Sequence, residues 1–286
     1  MAADRTYPVL VLCGRDVKQR ELMEVHDPEG RYPSKVLLPM LGKRVIDWQL
    51  EALLNSPYVR DIYLIGLSPA EYPTSNQNIK HIPINTTTTI LEKLTAGSQY
   101  IRDSYPEIPH IIVSTGDAPA ITTESIDHFF RELHHHDDAD VMITGVPEDL
   151  TIEFFPDHGR IVGKFNDISI YPGEMFAIRF ESLKTLNNII SQLSTRRLKF
   201  NRRSDTTKLG PLMRFLARTP RLWFFILKYL LGILSIQEAE AILSKVFNLK
   251  IRTAIIRDPG FGMDMDLPED YQKLSDYIKL TNKTEV

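Results

Sequence analysis

The residues of this chain whose types and surroundings could do chemistry are Lys35, Asp117, Asp264 and Asp266. Lys35 lies in SKVLLPMLGKRVIDWQL (Ser34–Leu50), just before an apolar run, and follows an apolar strand, VLVLCG, that ends at Gly14. A strand, a loop and a lone lysine are the parts needed to hold a polyphosphate. Glycine lets the backbone approach the phosphates, and lysine neutralises charge that develops during transfer. Asp117, in TGDAP, follows a second apolar run, HIIVST. A carboxylate there suits Mg²⁺, which takes one or two carboxylates and completes its shell with water and phosphate oxygens. It also suits a cap on the next turn or helix. In GMDMDLPED, an extended Met263–Asp266 places Asp264 and Asp266 on one face. Glu269 and Asp270 then fit the first turn of a helix, for which Asp266 is itself a possible N-cap.

The elements that must position these groups alternate between apolar strands and helices. Strands are expected over Val9–Cys13, Asp61–Gly66, Lys80–Pro83, His110–Thr115 and Val141–Gly145. Helices are expected over Val45–Leu54, over Thr89–Tyr100 with Ile90, Leu91, Leu94 and Ala96 on the apolar face, and over Ser125–His135. This alternation indicates an α/β protein with a mostly parallel sheet covered on both faces. Ligands bind such sheets at the carboxyl ends of the strands, and Gly14, Asp117 and Gly145 are expected just past such ends. Beyond Glu153 the pattern changes. A hairpin-like turn, Asp157–Arg160, leads to strands over Ile161–Ile170 and Met175–Arg179, then to a helix over Ser182–Leu193. Residues 196–248 read as a basic, apolar helical insertion, before a strand over Leu249–Ile256 and a terminal helix. The whole of 1–286 reads as one domain.

With 43% hydrophobic and 25% charged residues, the composition is that of an ordinary soluble protein. A net charge of −3 argues against a general nucleic-acid binder. The single cysteine, Cys13, excludes an internal disulfide and a cysteine-built zinc site, and it fits a reducing cytoplasm. No apolar run approaches the ~20 residues of a spanning helix, and no signal-type leader precedes the first strand. The dinucleotide GxGxxG, the P-loop, HExxH and the GxSxG elbow are all missing from the sequence.

The insertion is unusual in charge. Arg196, Arg197, Lys199, Arg202, Arg203, Lys208, Arg214, Arg218, Arg221 and Lys228 share a stretch whose single acid is Asp205. The apolar run Leu222–Leu231, LWFFILKYLL, begins beside Arg221. One reading is a peripheral membrane helix over 196–235, with anionic lipid adding roughly 1 kcal/mol per basic residue. The other is a helical subdomain that packs Trp223 and Phe224 on the core or on a second subunit, as in a homodimer. The arginines could also bind a phosphorylated acceptor.

Taken in order, VLVLCG with SKVLLPMLGKRVIDWQLEAL, then IIVSTGDAPAIT, then GMDMDLPEDY resemble the three signatures of the MobA-like nucleotidyltransferases (NTP transferases). The resemblance covers roughly residues 8–180 and 250–280. It implies a Rossmann-like, GT-A-type fold and a Mg²⁺-dependent transfer of a nucleoside monophosphate from an NTP. The acceptor would be a phosphorylated sugar, polyol or lipid-precursor alcohol, and pyrophosphate would leave. It makes Lys35 the phosphate-binding lysine, Asp117 and Asp266 metal ligands with Asp264 beside them, and Gly14 a first-loop glycine. The nucleotide would meet Cys13, Gly14, Lys35, Asn85, Thr86, Thr87 and Gly116. Gly145, Gly173 and Glu174 would face the acceptor. This chain departs from the family pattern in a long first loop, Arg15–Pro33, read as a mobile lid, in which Arg15 or Arg20 takes the place of the usual arginine before the lysine. Arg15 is preferred as the catalytic one. It departs again at Glu174, where related enzymes carry a Gly-Asn pair. A GT-A glycosyltransferase using a nucleotide sugar, or a non-catalytic nucleotide-binding or membrane-docking protein, are the alternatives on the same fold.

Overall fold

The computed structural model of the chain describes residues 5–14, 21–85, 89–156, 159–194 and 220–284. The first strand, β1 (Tyr7–Leu12), is an unbroken apolar run. Val9, Leu10 and Val11 are all fully buried, so both faces of the sheet are covered at its centre. After it come α1 (Glu21–His26), the small hairpin of β2 (Pro39–Met40) and β3 (Lys43–Arg44), α2 (Val45–Asn55) and β4 (Val59–Ile65). Next are β5 (Ile79–Ile82), α3 (Ile90–Ser104), β6 (His110–Thr115), α4 (Thr123–His135), β7 (Val141–Pro147) and α5 (Glu148–Phe154). The chain continues through β8 (Gly163–Lys164), β9 (Ser169–Pro172), β10 (Met175–Arg179) and α6 (Leu183–Ser194). It closes with α7 (Trp223–Leu230), α8 (Ile236–Phe247), β11 (Ile251–Ile255) and α9 (Pro268–Thr284).

Nine of these strands form one sheet in the order β5-β4-β1-β6-β10-β7-β9-β8, with β11 paired to β7. β5, β4, β1 and β6 run parallel, β10 lies antiparallel between β6 and β7, and β11 is parallel to β7. Helix α2 packs on α4, and α3 packs on α6. The architecture is the expected helix-flanked, mostly parallel α/β sheet of Rossmann-like type. No described helix is long and apolar enough to cross a membrane.

A second, smaller core lies beside the sheet. In it Leu22, Leu38, Met40, Val45 and Phe155 meet Met263, Met265, Leu274, Tyr277 and Ile278. This cluster ties α1 and the loop before α2 to the C-terminal segment, and it changes the picture of the long first loop. The described part of that loop is anchored and is not a lid. Leu22 is fully buried, and the Asp27 carboxylate accepts hydrogen bonds from the Arg31 and Tyr32 amides at 2.9 and 2.7 Å. The His26 ring lies 4.2 Å from that of Tyr271.

Four other expectations need correction. Gly145 is not past a strand end. β7 runs two residues further, because Gly145 pairs with Pro172 of β9 and Ile255 of β11. The apolar face of α3 is rotated, leaving Ile90 exposed and burying Lys93, Leu94, Gly97, Ser98 and Ile101. The cause is the close approach of α3 to β1, where a Cβ on Gly97 would lie 2.5 Å from a Leu10 methyl. Residues 161–170 form only the short β8 and part of β9, not longer strands. Trp223 and Phe224 of α7 are exposed, so the expectation that they pack on the core is not met.

Gly66 ends β4 with φ of 100°, and a Cβ there would lie 1.9 Å from the Cys13 carbonyl oxygen. Gly66→Ala is therefore expected to destabilise the fold by about 3 kcal/mol, through positive-φ strain plus a backbone clash. A lower urea midpoint at unchanged slope checks this, and an unchanged midpoint contradicts it.

Candidate active site

The sheet order creates the crevice. From β1 the chain goes to β4 and β5 on one side, then crosses to β6 on the other. β1 and β6 therefore flank a topological switch point, and the loops at their carboxyl ends diverge. Gly14 follows β1, and Gly116 and Asp117 follow β6. The Gly116 amide donates to the Leu12 carbonyl at 2.9 Å, and a Cβ on Gly116 would press on Cys13 Sγ at 3.2 Å. Glycine lets the two strand ends close together.

Lys35 enters this crevice from the loop before α2. The Ser34 hydroxyl donates to the Gly14 carbonyl at 2.5 Å, pinning that loop to the end of β1. Lys35 begins a single 3₁₀ turn, Lys35–Leu37, in which Val36 and Leu37 sink into the core. The lysine is left to face the crevice. Its Nζ lies 2.5 Å from Asp117 Oδ2, 2.5 Å from Asp266 Oδ1 and 2.7 Å from the Met265 carbonyl oxygen. An ammonium has three N–H donors, and these contacts engage all three. Burial works against the charge on Lys35, but the Asp117 and Asp266 carboxylates outweigh it and hold the ammonium above the ordinary lysine pKa.

The C-terminal segment supplies the other carboxylates. Met263 and Met265 are fully buried in the second core, which turns Asp264 and Asp266 the opposite way. The Met265 amide donates to the Asp117 carbonyl at 2.9 Å. Asp270 takes the capping role, accepting from the Asp266 and Leu267 amides at 3.0 and 2.8 Å, while the Asp266 side chain bonds Lys35. Asp117, Asp264 and Asp266 can each offer an oxygen within 4.8 Å of the others. Asp117 Oδ1 is buried, and no donor among the described residues reaches it. An all-oxygen donor set with one buried, unsatisfied carboxylate oxygen fits a hard divalent cation.

Arg160 closes the other side, and sequence reasoning gave it no role. Its guanidinium lies 2.8 Å from Glu174 Oε1 and also pairs with Asp264. It further donates to the Gly262 carbonyl and, at 3.4 Å, to that of Pro172. Glu174 Oε2 accepts from the Thr115 hydroxyl at 2.9 Å. Among the described residues, four carboxylates thus face the two cations Lys35 and Arg160.

Some expected residues stand elsewhere. The Cys13 thiol is buried, and burial pushes its pKa up to about 12, so it is not a nucleophile. The Cys13 amide donates to the Ile65 carbonyl and its carbonyl accepts from Lys93 Nζ, at 2.9 and 2.8 Å. Lys93 is buried beneath the end of β1 and was also missed, because a lysine inside a helix reads as surface. Gly145 is covered by Ile170, 2.6 Å from where its Cβ would stand, so it packs a strand and does not face the crevice. Gly173 makes a tight approach to Thr144 that delivers Glu174 to Thr115. Asn85 is exposed past the end of β5. Arg15, Arg20, Thr86, Thr87 and the turn residues Asp157 and His158 lie outside the described residues.

No family model and no curated protein matches the sequence. Solved structures do match. A hypothetical transferase from Thermus thermophilus superposes with a TM-score of 0.70 at 22% identity, over 93% of this chain and 99% of that one. A CMP:2-keto-3-deoxy-manno-octonic acid synthetase complexed with CTP gives 0.57 at 14% identity, over 96% and 100%. A nucleotidyl transferase from Methanothermobacter gives 0.53 at 14% identity, over 97% and 99%. The fold is that of nucleotidyltransferases. Both chains cover each other almost end to end, so the nucleotidyltransferase fold accounts for the bulk of this molecule and not for one part of it.

Lys35→Met removes the ammonium that Asp117 and Asp266 share. It is expected to destabilise the protein by about 2–3 kcal/mol, below the range for a fully buried pair because Asp266 keeps 29% of its side-chain surface. Millimolar Mg²⁺ should return much of that loss, read by thermal unfolding. Because the folded-state pKa of Lys35 is raised, its contribution is complete below the ordinary lysine pKa and fades as pH rises through the folded value. Wild type should therefore lose this increment at strongly alkaline pH, whereas Lys35→Met has none to lose. Equal stability of the two at neutral pH without Mg²⁺ would contradict the assignment.

Proposed function

We propose that this chain is a nucleotidyltransferase, moving a nucleoside monophosphate from an NTP to a phosphorylated sugar, polyol or lipid-precursor alcohol and releasing pyrophosphate. The observation that carries the reading is the Lys35 ammonium, set between Asp117 and Asp266 at 2.5 Å from each, at the switch point of a parallel sheet. The likeness of the whole fold to nucleotidyltransferases supports it, and the CTP held by one structural neighbour makes CTP the first nucleotide to test.

An acceptor phosphate oxygen attacks the α-phosphorus. A new P–O bond forms, the α–β P–O bond breaks, and its electron pair leaves on pyrophosphate. The acceptor phosphate is already an anion, so the step needs no general base. Positioning and charge neutralisation are the protein's task. Asp117, Asp264 and Asp266 would hold Mg²⁺, which when bound supplies positive charge to the triphosphate. With Asp117 and Asp266 turned to the cation, the Lys35 ammonium would exchange those two contacts for oxygens of the α-phosphate and the departing pyrophosphate, with Arg15 as a second cation from the first loop. Gly14, Gly116, Asn85, Thr86 and Thr87 surround the nucleotide. Glu174 acts on the acceptor side by holding Arg160, since its two oxygens already accept from Arg160 and Thr115. The reading puts the protein in the cytoplasm, where a lone buried thiol stays reduced.

The test is pyrophosphate release from each of CTP, UTP, ATP and GTP with panels of sugar and polyol phosphates, with and without Mg²⁺. One NTP should give Mg²⁺-dependent release, reduced about 100-fold or more in Lys35→Met and Asp117→Asn. Sugar transfer from a nucleotide sugar, with no pyrophosphate from any NTP, would replace this reading with glycosyl transfer.

A further inference from the structure

Arg160 comes from the loop between α5 and β8, and its side chain is only 9% exposed. Its fork straddles the segment that carries the C-terminal aspartates. Nη1 donates to the Gly262 carbonyl and, at 3.4 Å, to that of Pro172. Nη2 donates to Asp264 Oδ1 and, at 2.8 Å, to Glu174 Oε1.

The two carboxylates on Nη2 are not alike. Glu174 is anchored to β6 and to the C-terminal segment. Its Oε2 accepts from the Thr115 hydroxyl at 2.9 Å, and its carbonyl accepts from the Thr115 amide and the Ser114 hydroxyl at 3.1 and 3.2 Å. Its own amide donates to the Phe261 carbonyl at 3.1 Å. Asp264 belongs instead to the cluster with Asp117 and Asp266, whose oxygens lie within 4.8 Å of one another. Arg160 and a divalent cation in that cluster therefore call on the same carboxylate.

A cation in the cluster draws Asp264 toward itself. The guanidinium does not follow, because Glu174 and the Gly262 and Pro172 carbonyls hold it where it is. A mostly buried arginine that has lost one of two carboxylates is undercompensated, and an incoming oxyanion restores the balance. The planar guanidinium fork suits a phosphate, whose oxygen can take the donor that Asp264 Oδ1 occupies. We propose that Arg160 binds the acceptor's phosphate, and that the cation uncovers it by drawing Asp264 away. This inference rests on the reaction proposed above in taking the acceptor to be a phosphate. A carboxylate at position 174 then has a purpose, since it keeps one counter-charge on the guanidinium in both arrangements, which an amide side chain does not. Cation and acceptor assist each other, each tightening the other's binding by the same factor.

The experiment is isothermal titration of inorganic phosphate into the full chain, without nucleotide, in Mg²⁺ and in chelator. Wild type is expected to bind phosphate at least about tenfold more tightly in Mg²⁺. Arg160→Gln should bind it weakly in both conditions. Asp264→Ala, which removes the carboxylate that holds the phosphate's place, should bind it in chelator at least about tenfold more tightly than wild type does. Adding Arg160→Gln to Asp264→Ala should remove that gain. If Arg160→Gln has no thermal transition, Asp264→Ala carries the test alone. Mg²⁺ dependence that persists in folded Arg160→Gln assigns the phosphate to the cation alone and overturns the proposal. Equal binding to wild type in the two conditions overturns it too, as does the lack of any gain in folded Asp264→Ala. Pyrophosphate release from an NTP without this coupling strikes the Arg160 assignment alone, and coupling without release from any NTP strikes the reaction alone.

Discussion

Three carboxylates brought within 4.8 Å of one another repel, and the site is arranged around that constraint. Such groups stay ionised together only where cations or strong hydrogen bonds offset the repulsion. Lys35 offsets it at Asp117 and Asp266, and Arg160 offsets it at Asp264 and Glu174. Each cation joins segments remote in sequence, so the charge balance also fixes the tertiary arrangement. Lys35 ties the loop after β1 to the end of β6 and to the segment before α9. Arg160 ties the approach to β8 to the β9–β10 connection and to that same segment. One buried oxygen of Asp117 is left without a donor among the described residues.

The rest of the fold serves to hold those groups still. The parallel strands place Gly14 and Asp117 side by side at the switch point, and Gly116 permits the close approach that this requires. The second core places the C-terminal aspartates. With Met263 and Met265 buried, alternation leaves Asp264 and Asp266 no direction but the crevice. Asp270 caps the helix that follows, which frees the Asp266 side chain to meet Lys35. The β8–β9 hairpin has two attachments. At one end it carries α7, and at the other it runs through Pro172 and Gly173 into Glu174.

Much of this arrangement was legible because it is local. Lys35, Asp117 and the aspartate pair each border an apolar run, and strand ends in a parallel sheet are where ligands gather. Arg160 was illegible because its partners lie at positions 174, 262 and 264, and nothing in its own neighbourhood signals them. The face of α3 was misread because apolar spacing selects Ile90, whereas a backbone approach that only Gly97 allows turns Lys93 inward. Gly145 was misplaced because long-range pairing with β9 and β11 extends β7 beyond its apolar run. Helix α1 was missed because six residues carry too few turns to show a period. In α7 the apolar run itself was readable, but whether Trp223 and Phe224 faced core or solvent depended on the hairpin behind the helix.

The central claim is that the carboxylate cluster and Lys35 together bind a metal–nucleotide complex. The most direct test is isothermal titration of each NTP into wild type and Asp266→Asn, with Mg²⁺ and with chelator. The account predicts that one NTP binds with Mg²⁺ present, that binding weakens at least about tenfold in chelator, and that Asp266→Asn removes most of this metal dependence. Nucleotide binding of equal strength with and without Mg²⁺ in both proteins, or no binding of any NTP to wild type, would contradict it.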